Sequence, residues 1–278
     1  ALNTTQVAAL TTDQLVKVTT KDIAALTTDQ VRAMTTDQLG ALLTNQVTAL
    51  KTSHISVLTS DQMAGFGVAQ VAVLTTDQIG ALKTTQIAAL ETRDVAALTT
   101  ASIGALTTDQ VSKGLTTSQV AALTTAGVTA ITTSGIAALT TDQVVALRTD
   151  QVAALKTNQV AALATDSIAA LETRDVIAIT TAGIAALTTN QISKGLTTNQ
   201  VAALTTKQVQ ALTTDQIGKG LTTDQVVGLT SSQVAALTTA QIDKLTTTQV
   251  GALTATQVKA IETVDLAKFT AEQVAAIS

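Results

Sequence analysis

The sequence predicts an all-α solenoid of very short helices, with one helix in each repeat and three repeats in each coil. The phrase Leu-Thr-Thr-Asp-Gln-Val-Ala-Ala recurs in close variants, without a break, from Leu2 to Ile277. Positions 1 and 6 of the phrase are apolar in every copy, and Thr is the commonest residue at positions 2 and 3. Fixed self-similarity of this kind is typical of repeat architectures, in which each unit packs mainly on its neighbours.

The repeat runs through the whole sequence. We divide it into 34 units, of which 31 have eight residues and three have nine; the nine-residue units end at Gly114, Gly195 and Gly220. A stack of repeats has one continuous core at any length. Residues 1–278 are therefore predicted to form a single octapeptide-repeat solenoid.

The two apolar positions exclude strands and a single long helix. Positions 1 and 6 differ by five, so on a strand they would face opposite sides. In one continuous helix, eight residues advance by about 800°, so the apolar stripe would turn by about 80° in each unit. Short helices separated by tight corners bring both positions to one core. Helices this short are unstable alone, so we expect only the array to be stable.

The Thr pair predicts where each helix begins, in one of two registers. A cap at position 2 makes Gln at position 5 the far end of a capping box and pairs positions 1 and 6 as a hydrophobic staple. A cap at position 3 is the alternative. We favour position 3, because position 2 accepts residues that cap poorly: Lys51, Lys83, Glu91, Arg148, Lys156 and Glu172.

Charged residues follow the expected helix ends. Asp recurs at position 4, as at Asp13 and Asp77, and Lys recurs at position 8, as at Lys17. Negative charge near a helix N-terminus and positive charge near its C-terminus are stabilising, so we interpret these residues as structural.

Each nine-residue unit ends in Lys-Gly. Glycine just beyond a helix commonly adopts the left-handed conformation that closes it, and we expect this of Gly114, Gly195 and Gly220. The position-8 lysines of the C-terminal part are each three units apart, which predicts three units per coil; they are Lys194, Lys219, Lys244 and Lys268.

Gln fills position 5 in 24 of the 34 units. Stacked coils would place these amides in columns, where they bond to one another or to carbonyl groups at the corners. We predict a structural role for them.

No residue is predicted to be catalytic, to bind a metal or to hold a cofactor. His54, the single histidine, has no ligand partners at a usual spacing and is expected to face solvent. Three acidic pairs are interpreted as surface charge: Glu91/Asp94, Glu172/Asp175 and Glu262/Asp265. The irregular stretch Met63–Ala69 is interpreted as a degenerate repeat, with a kink or an apolar contact site as the alternatives.

Composition excludes two classes of partner. The formal net charge is −4 and basic residues never cluster, which argues against a nucleic-acid partner. The longest apolar run, residues 63–69, is far shorter than the roughly 18 residues that a membrane-spanning helix needs, so no membrane span is expected.

The run Leu-Thr-Thr-x-Gln-Val-Ala-Ala-Leu, as at Leu196–Leu204, resembles the short-repeat regions of large secreted bacterial surface proteins of the adhesin type. Proteins of that type also carry haem-utilisation labels, but this chain has no Tyr or Cys and one His as possible axial ligands. The resemblance implies an extracellular or cell-surface location.

We expect a non-enzymatic structural protein, a stalk, fibre or surface-coat element, whose partner is itself. The copies would associate end to end, or the repeats would continue in a longer chain. The alternative is a solenoid binding module that presents a surface to a protein or glycan partner. The Thr-rich columns leave an ice-binding protein as a third hypothesis.

Overall fold

A computed structural model describes residues 2–277, and within this range every regular element is helical. There are 31 short α-helices and three π-helical segments. The all-α fold with one short helix per repeat is thereby confirmed. The chain divides into two compact units, Ala1–Leu139 and Thr140–Ser278, which are described separately.

The first unit contains sixteen α-helices and one π-helical segment. They are α1 (Thr4–Ala8), α2 (Thr12–Leu15), α3 (Thr20–Ala25), α4 (Thr28–Arg32), α5 (Thr36–Gly40), α6 (Thr44–Ala49), α7 (Thr52–Val57), α8 (Ser60–Ala64), α9 (Val68–Ala72), α10 (Thr76–Ala81), α11 (Thr84–Ala88), α12 (Thr92–Ala96), α13 (Thr100–Gly104), π1 (Gln110–Gly114), α14 (Thr117–Ala122), α15 (Thr125–Ala130) and α16 (Thr133–Ala138).

The second unit contains fifteen α-helices and two π-helical segments. They are α17 (Thr141–Val145), α18 (Thr149–Ala154), α19 (Thr157–Ala162), α20 (Thr165–Ala170), α21 (Thr173–Ala178), α22 (Thr181–Ala186), π2 (Gln191–Gly195), α23 (Thr198–Ala203), α24 (Thr206–Ala211), π3 (Gln216–Gly220), α25 (Thr223–Gly228), α26 (Ser231–Ala235), α27 (Thr239–Ile242), α28 (Thr247–Gly251), α29 (Ala255–Ala260), α30 (Thr263–Leu266) and α31 (Ala271–Ala276).

Each coil contains three helices. In the first unit α1 packs on α4, α4 on α7 and α7 on α10. In the second unit α17 packs on α20, α20 on π2 and π2 on π3, again three elements apart. The prediction of three repeats per coil is confirmed within each unit.

The core consists of the side chains at positions 1 and 6, as predicted. Val71 and Leu74 illustrate the pair, with 0 % and 3 % of their surface exposed. The rule extends through both units except in the first and last coils, where Leu2 and Val274 are exposed, and it accommodates larger residues at position 1, such as Phe66. Because each helix contributes only these two apolar side chains, its stability depends on the helices stacked above and below it.

The helices begin one residue earlier than predicted, because the N-cap is position 2 and not position 3. In the unit that starts at Leu10, Thr11 caps the helix and Thr12 is its first residue. The Thr11 hydroxyl accepts a hydrogen bond from the Gln14 backbone N–H at 3.3 Å, and the Gln14 Oε1 accepts one from the Thr11 N–H at 2.9 Å. Gln stands at the third helical residue only in this register, so the capping box decides the start.

The same capping box explains why position 2 tolerates Lys and Arg. Lys83 has no side-chain cap bond, yet its backbone N–H donates to Gln86 Oε1. The bond from Arg148 N–H to Gln151 Oε1 is equivalent, at 2.7 Å. One half of the box needs only the backbone of position 2, so Gln at position 5 maintains that half when the hydroxyl is lost.

The ninth residue of the long units is absorbed as a π-turn, which corrects the prediction of left-handed glycines. The Leu115 N–H donates to the Gln110 carbonyl, five residues back, at 3.0 Å. No glycine with a positive φ occurs among residues 2–277. Glycine is required for close packing instead: a Cβ at Gly220 would lie 3.2 Å from the Ile192 Cβ on an adjacent coil.

Candidate functional site

The main polar feature of both compact units is the column of side chains at position 5 of the repeat, here called the position-5 column. Gln70 shows its geometry. The Gln70 Oε1 accepts a hydrogen bond from the Gly67 N–H at 2.9 Å, which caps its own helix. Its Nε2 donates to the Leu39 and Leu42 carbonyls of the preceding coil, at 2.9 and 2.7 Å. One buried amide therefore satisfies three backbone groups.

These carbonyls lie at positions 6 and 1, where a helix ends. The position-6 carbonyl also accepts from the next position-1 N–H, as from Leu42 to Leu39 at 3.2 Å. Where it holds glutamine, the position-5 column thus joins the N-terminus of a helix to a C-terminal corner of the preceding coil. Two such carbonyl bonds are made by Gln38, Gln46, Gln78, Gln86, Gln110, Gln119, Gln191, Gln200, Gln208, Gln216, Gln225, Gln233, Gln241, Gln249 and Gln257. Gln62 instead binds the carbonyls of Arg32, at position 7, and Met34. Of the two bonding schemes we predicted, these glutamine amides adopt the one in which they bond to corner carbonyls and not to one another.

His54 belongs to this column, and the expectation that it faces solvent is wrong. Only 2 % of the residue is exposed. Its Nε2 lies 2.9 Å from the Leu26 carbonyl, and its Nδ1 lies 3.2 Å from the Lys51 backbone nitrogen. The imidazole therefore replaces both ends of the glutamine amide. Burial, followed by the nearby Lys51 charge, lowers the pKa of His54 below 6.5, against the opposing effect of the Leu26 carbonyl.

In each acidic pair, the glutamate is exposed as predicted but the aspartate is buried. Glu91 is exposed and pairs with Arg93 at 2.8 Å. Asp94 and Asp175, however, occupy position 5 and are buried, at 1 % and 3 % exposure. Asp265 is also buried. The prediction failed for these aspartates because position 5 faces the preceding coil whichever residue stands there.

Asp94 is the least satisfied side chain of the column. Both carboxylate oxygens are buried and have no hydrogen-bond partner. The Arg93 Nε lies 3.7 Å from Oδ1, beyond hydrogen-bond distance. Burial raises the pKa of Asp94 above 3.8, and the Arg93 charge offsets part of that shift. A proton on this carboxyl would supply the donor that glutamine normally provides.

Two of the three glycines at position 5, Gly135 and Gly183, are accompanied by isoleucine at position 1. A Cβ at Gly135 would lie 2.7 Å from the Ile131 Cγ2, and a Cβ at Gly183 would lie 2.7 Å from the Ile179 Cγ2. The β-branched methyl group occupies space next to these glycines that leucine would leave open. In these two repeats, the isoleucine methyl group therefore occupies the space that a position-5 side chain fills in other repeats.

The irregular stretch Met63–Ala69 keeps the repeat geometry. Helices α8 and α9 follow each other through it in register, with Gly67 as an N-cap that has no side chain. It borders a shallow hollow of about 620 Å³ beside Leu43 and Val68, which are 48 % and 42 % exposed. The stretch therefore contains an exposed apolar patch.

A second cavity of about 500 Å³ lies at the first coil, lined mainly by apolar side chains that include Leu2, Val7, Leu10 and Leu15. Between residues 2 and 277, no three His, Cys, Asp or Glu side chains lie close enough together to hold a metal ion. None of the helices in that range is long and apolar enough to cross a bilayer.

Comparison with protein families matches the family described as the ALTTAQ repeat, at residues 16–52, 55–92, 87–125, 120–149, 128–165, 168–206 and 194–219. Together these seven overlapping matches cover more than half of the chain. No curated protein matches the chain at a significant level. The prediction of a short-repeat region is confirmed, whereas the adhesin-type resemblance stays a prediction.

Proposed function

This chain belongs to the ALTTAQ repeat family, and on that premise we propose that it is a non-enzymatic structural protein: a stalk, a fibre or an element of a surface coat outside a bacterial cell. The observation that carries this proposal is the use made of the position-5 column. Its buried glutamines, such as Gln70 and Gln249, donate their amide hydrogens to backbone carbonyls of the preceding coil and so hold one coil to the next. Such side chains serve rigidity rather than chemistry on a ligand.

The coil faces support association of the repeat with itself. Gln6 and Gln14 in the first coil are exposed, although their equivalents further along are buried. Val274, at position 6 of the last helix, is 53 % exposed where its equivalents form the core. One face therefore offers amide donors beside an apolar cavity, and the other offers helix ends of the kind that these amides bind.

The occupant that fits both faces is another coil of the same repeat, supplied by a longer chain or by a second copy. Stacking it would bury the apolar side chains around Leu2 and Val274 and pair the Gln6 and Gln14 amides with corner carbonyls. Contacts of this kind are heterologous, so between copies they build open filaments unless the rotation closes a ring.

The test is sedimentation and electron microscopy of the 278-residue chain over a range of concentrations. We expect concentration-dependent filaments that are weakened when Gln6 and Gln14 are both changed to Glu, because a carboxylate cannot donate to a carbonyl. Gln210→Glu is the matched control, since Gln210 is exposed on α24 away from the column. A dispersed monomer of 28.2 kDa at every concentration would contradict self-association.

A second candidate, a binding module for a protein or glycan, is favoured by the exposed patch of Leu43 and Val68 beside its hollow. Thr is the consensus residue at both positions, so Leu43→Thr and Val68→Thr restore the regular surface. A partner that binds the wild-type chain and is lost from this double variant would support the binding module. A structural element would keep its assembly unchanged.

A further inference from the structure

His54 can replace glutamine only in one protonation state. The Lys51 N–H is a donor, so Nδ1 must accept from it across 3.2 Å. The Leu26 carbonyl is an acceptor, so Nε2 must carry the hydrogen and donate to it across 2.9 Å. The two contacts together require the neutral ring with its proton on Nε2.

A second proton breaks this arrangement. The imidazolium has a hydrogen on both nitrogens, so Nδ1–H would point at the Lys51 N–H, donor against donor. Because the residue is 2 % exposed, water cannot take over either contact without opening the corner. Adding the proton therefore removes one half of the α7 capping box and places a positive charge in the packed column.

The surroundings do not stabilise that charge. Helix α7 packs on α4 and α10, whose charged residues are Asp29, Arg32 and Asp77. All three are exposed at surface positions of their units. On the ring's own unit, the Lys51 ammonium is the charge that acts on His54, and it is repulsive.

We propose that His54 is an acid-sensitive latch in the unit Ala1–Leu139: a proton added to its ring releases the N-terminus of α7 from the corner of the preceding coil at Leu26. In the thirty-three other repeats of the sequence, position 5 holds glutamine, aspartate, serine or glycine. The latch thus makes one coil of a repetitive array responsive to mild acid while its neighbours keep amide bonds.

The direction follows from linkage. The folded chain holds the pKa of His54 below its ordinary value of 6.5, so the closed corner binds fewer protons than the open one. The contribution of His54 to stability is complete above pH 6.5 and is lost as the pH falls through 6.5 toward the folded pKa. Between pH 7.5 and 5.5, the equilibrium constant for opening should rise, and the limit for a closed ring that stays neutral is about tenfold.

The experiment is amide hydrogen exchange of the whole chain at pH 7.5 and 5.5, corrected for intrinsic exchange and followed over residues 51–58. We expect opening there to increase at pH 5.5 by up to about tenfold, with helices of the second unit such as α23 as the internal reference. Since His54 is the single histidine, its ring ¹⁵N signals also report tautomer and titration without ambiguity.

His54→Gln is the matched variant, because it restores the consensus residue and keeps both contacts at all pH values. It should abolish the pH-dependent opening and leave a folded array. Gln200→His should transfer the pH dependence to α23, where the carbonyl partners are those of Ile168 and Leu171. An equal pH response in wild type and His54→Gln, or a ring whose proton lies on Nδ1 at pH 7.5, would overturn the latch.

Discussion

The Thr149 hydroxyl donates a hydrogen bond to Asp175 Oδ1 across 2.6 Å, from helix α18 to helix α21 one coil further along. Asp94 occupies the same position in its own repeat, and helix α9 packs against it. The residue that corresponds to Thr149 there is Val68, which has no hydroxyl to donate. Asp94 therefore lacks the hydroxyl partner that Asp175 has, and neither of its carboxylate oxygens accepts a hydrogen bond.

Val68→Thr should therefore supply Asp94 with the missing donor. We expect stabilisation of about 1.5–3 kcal/mol near neutral pH, as for a hydrogen bond to a charged group. The urea midpoint of the unit's unfolding measures it. In an Asp94→Gln background the same substitution should gain far less, and equal gains in both backgrounds would argue against coupling between the two residues.

Asp94 should destabilise the first unit at neutral pH and not at low pH, where its carboxyl group is protonated. Because its folded pKa is raised, the folded chain binds more protons than the unfolded chain. Its contribution is complete below 3.8, the ordinary pKa, and is lost as the pH rises through the folded value. Asp94→Asn removes the charge at constant size, so it should stabilise by about 1–3 kcal/mol at pH 7 and by much less at pH 3.5.

This prediction concerns a difference between two chains and so separates Asp94 from the other carboxyl groups. Asp109→Asn is the control, since Asp109 is exposed and its partner Lys113 lies on the surface. Its effect should be within about 0.5 kcal/mol at both pH values. A gain from Asp94→Asn that persists undiminished at pH 3.5 would show that charge is not the cause.

The pairing of Ile131 with Gly135 predicts a compensating double variant. Gly135→Gln places a Cβ 2.7 Å from Ile131 Cγ2 and should destabilise by about 1–3 kcal/mol through overpacking. Adding Ile131→Leu removes the Cγ2 branch and should recover most of that loss. Gly127→Gln is the matched control, because Leu123 already stands at its position 1 and the nearest atom to a new Cβ lies 3.3 Å away.

The glycines should divide by what surrounds them. A Cβ at Gly218 would lie 2.6 Å from the Lys244 carbonyl oxygen, so Gly218→Ala should destabilise the second unit by about 1–3 kcal/mol. No atom lies within 4 Å of a Cβ at Gly80, which is inside helix α10. Gly80→Ala should stabilise the first unit by about 0.5–1 kcal/mol. Chemical denaturation of both variants checks the opposite signs.

Periodicity was sufficient to predict the helix type, the core positions and the number of repeats in a coil. It could not decide the cap, because Thr fills both positions 2 and 3 and each is a good N-cap. Tolerance at position 2 pointed to the wrong register, since Gln at position 5 maintains half of the box without a side chain there. A count of substitutions cannot reveal that backbone contribution.

The burial of position 5 was also outside the reach of periodicity. Gln is usually exposed, so its regular recurrence did not identify it as core. The available signal was its constancy beside the variable position 4. His54, Asp94 and Asp175 were placed at the surface for the same reason, and only the stacking of the coils shows that all three are buried.

The position-5 amide should be worth more than an ordinary polar side chain, and Gln200 offers the test. Its Oε1 accepts from the Thr197 N–H at 2.8 Å, and its Nε2 donates to Ile168 and Leu171 at 2.9 and 2.8 Å. Gln200→Met keeps the length but leaves the Thr197 N–H and the Leu171 carbonyl without a partner, whereas the Ile168 carbonyl keeps its bond from the Leu171 N–H. At about 1–3 kcal/mol for each unsatisfied group, with some recovered by relaxation, we expect a loss of about 2–4 kcal/mol in urea unfolding.

Gln200→Glu keeps the capping half and should lose stability that returns as the carboxyl is protonated in acid. Gln210→Met, on the exposed face of α24, should change stability by less than about 0.5 kcal/mol. If Gln200→Met were as mild as Gln210→Met, the position-5 column would not be what holds one coil to the next.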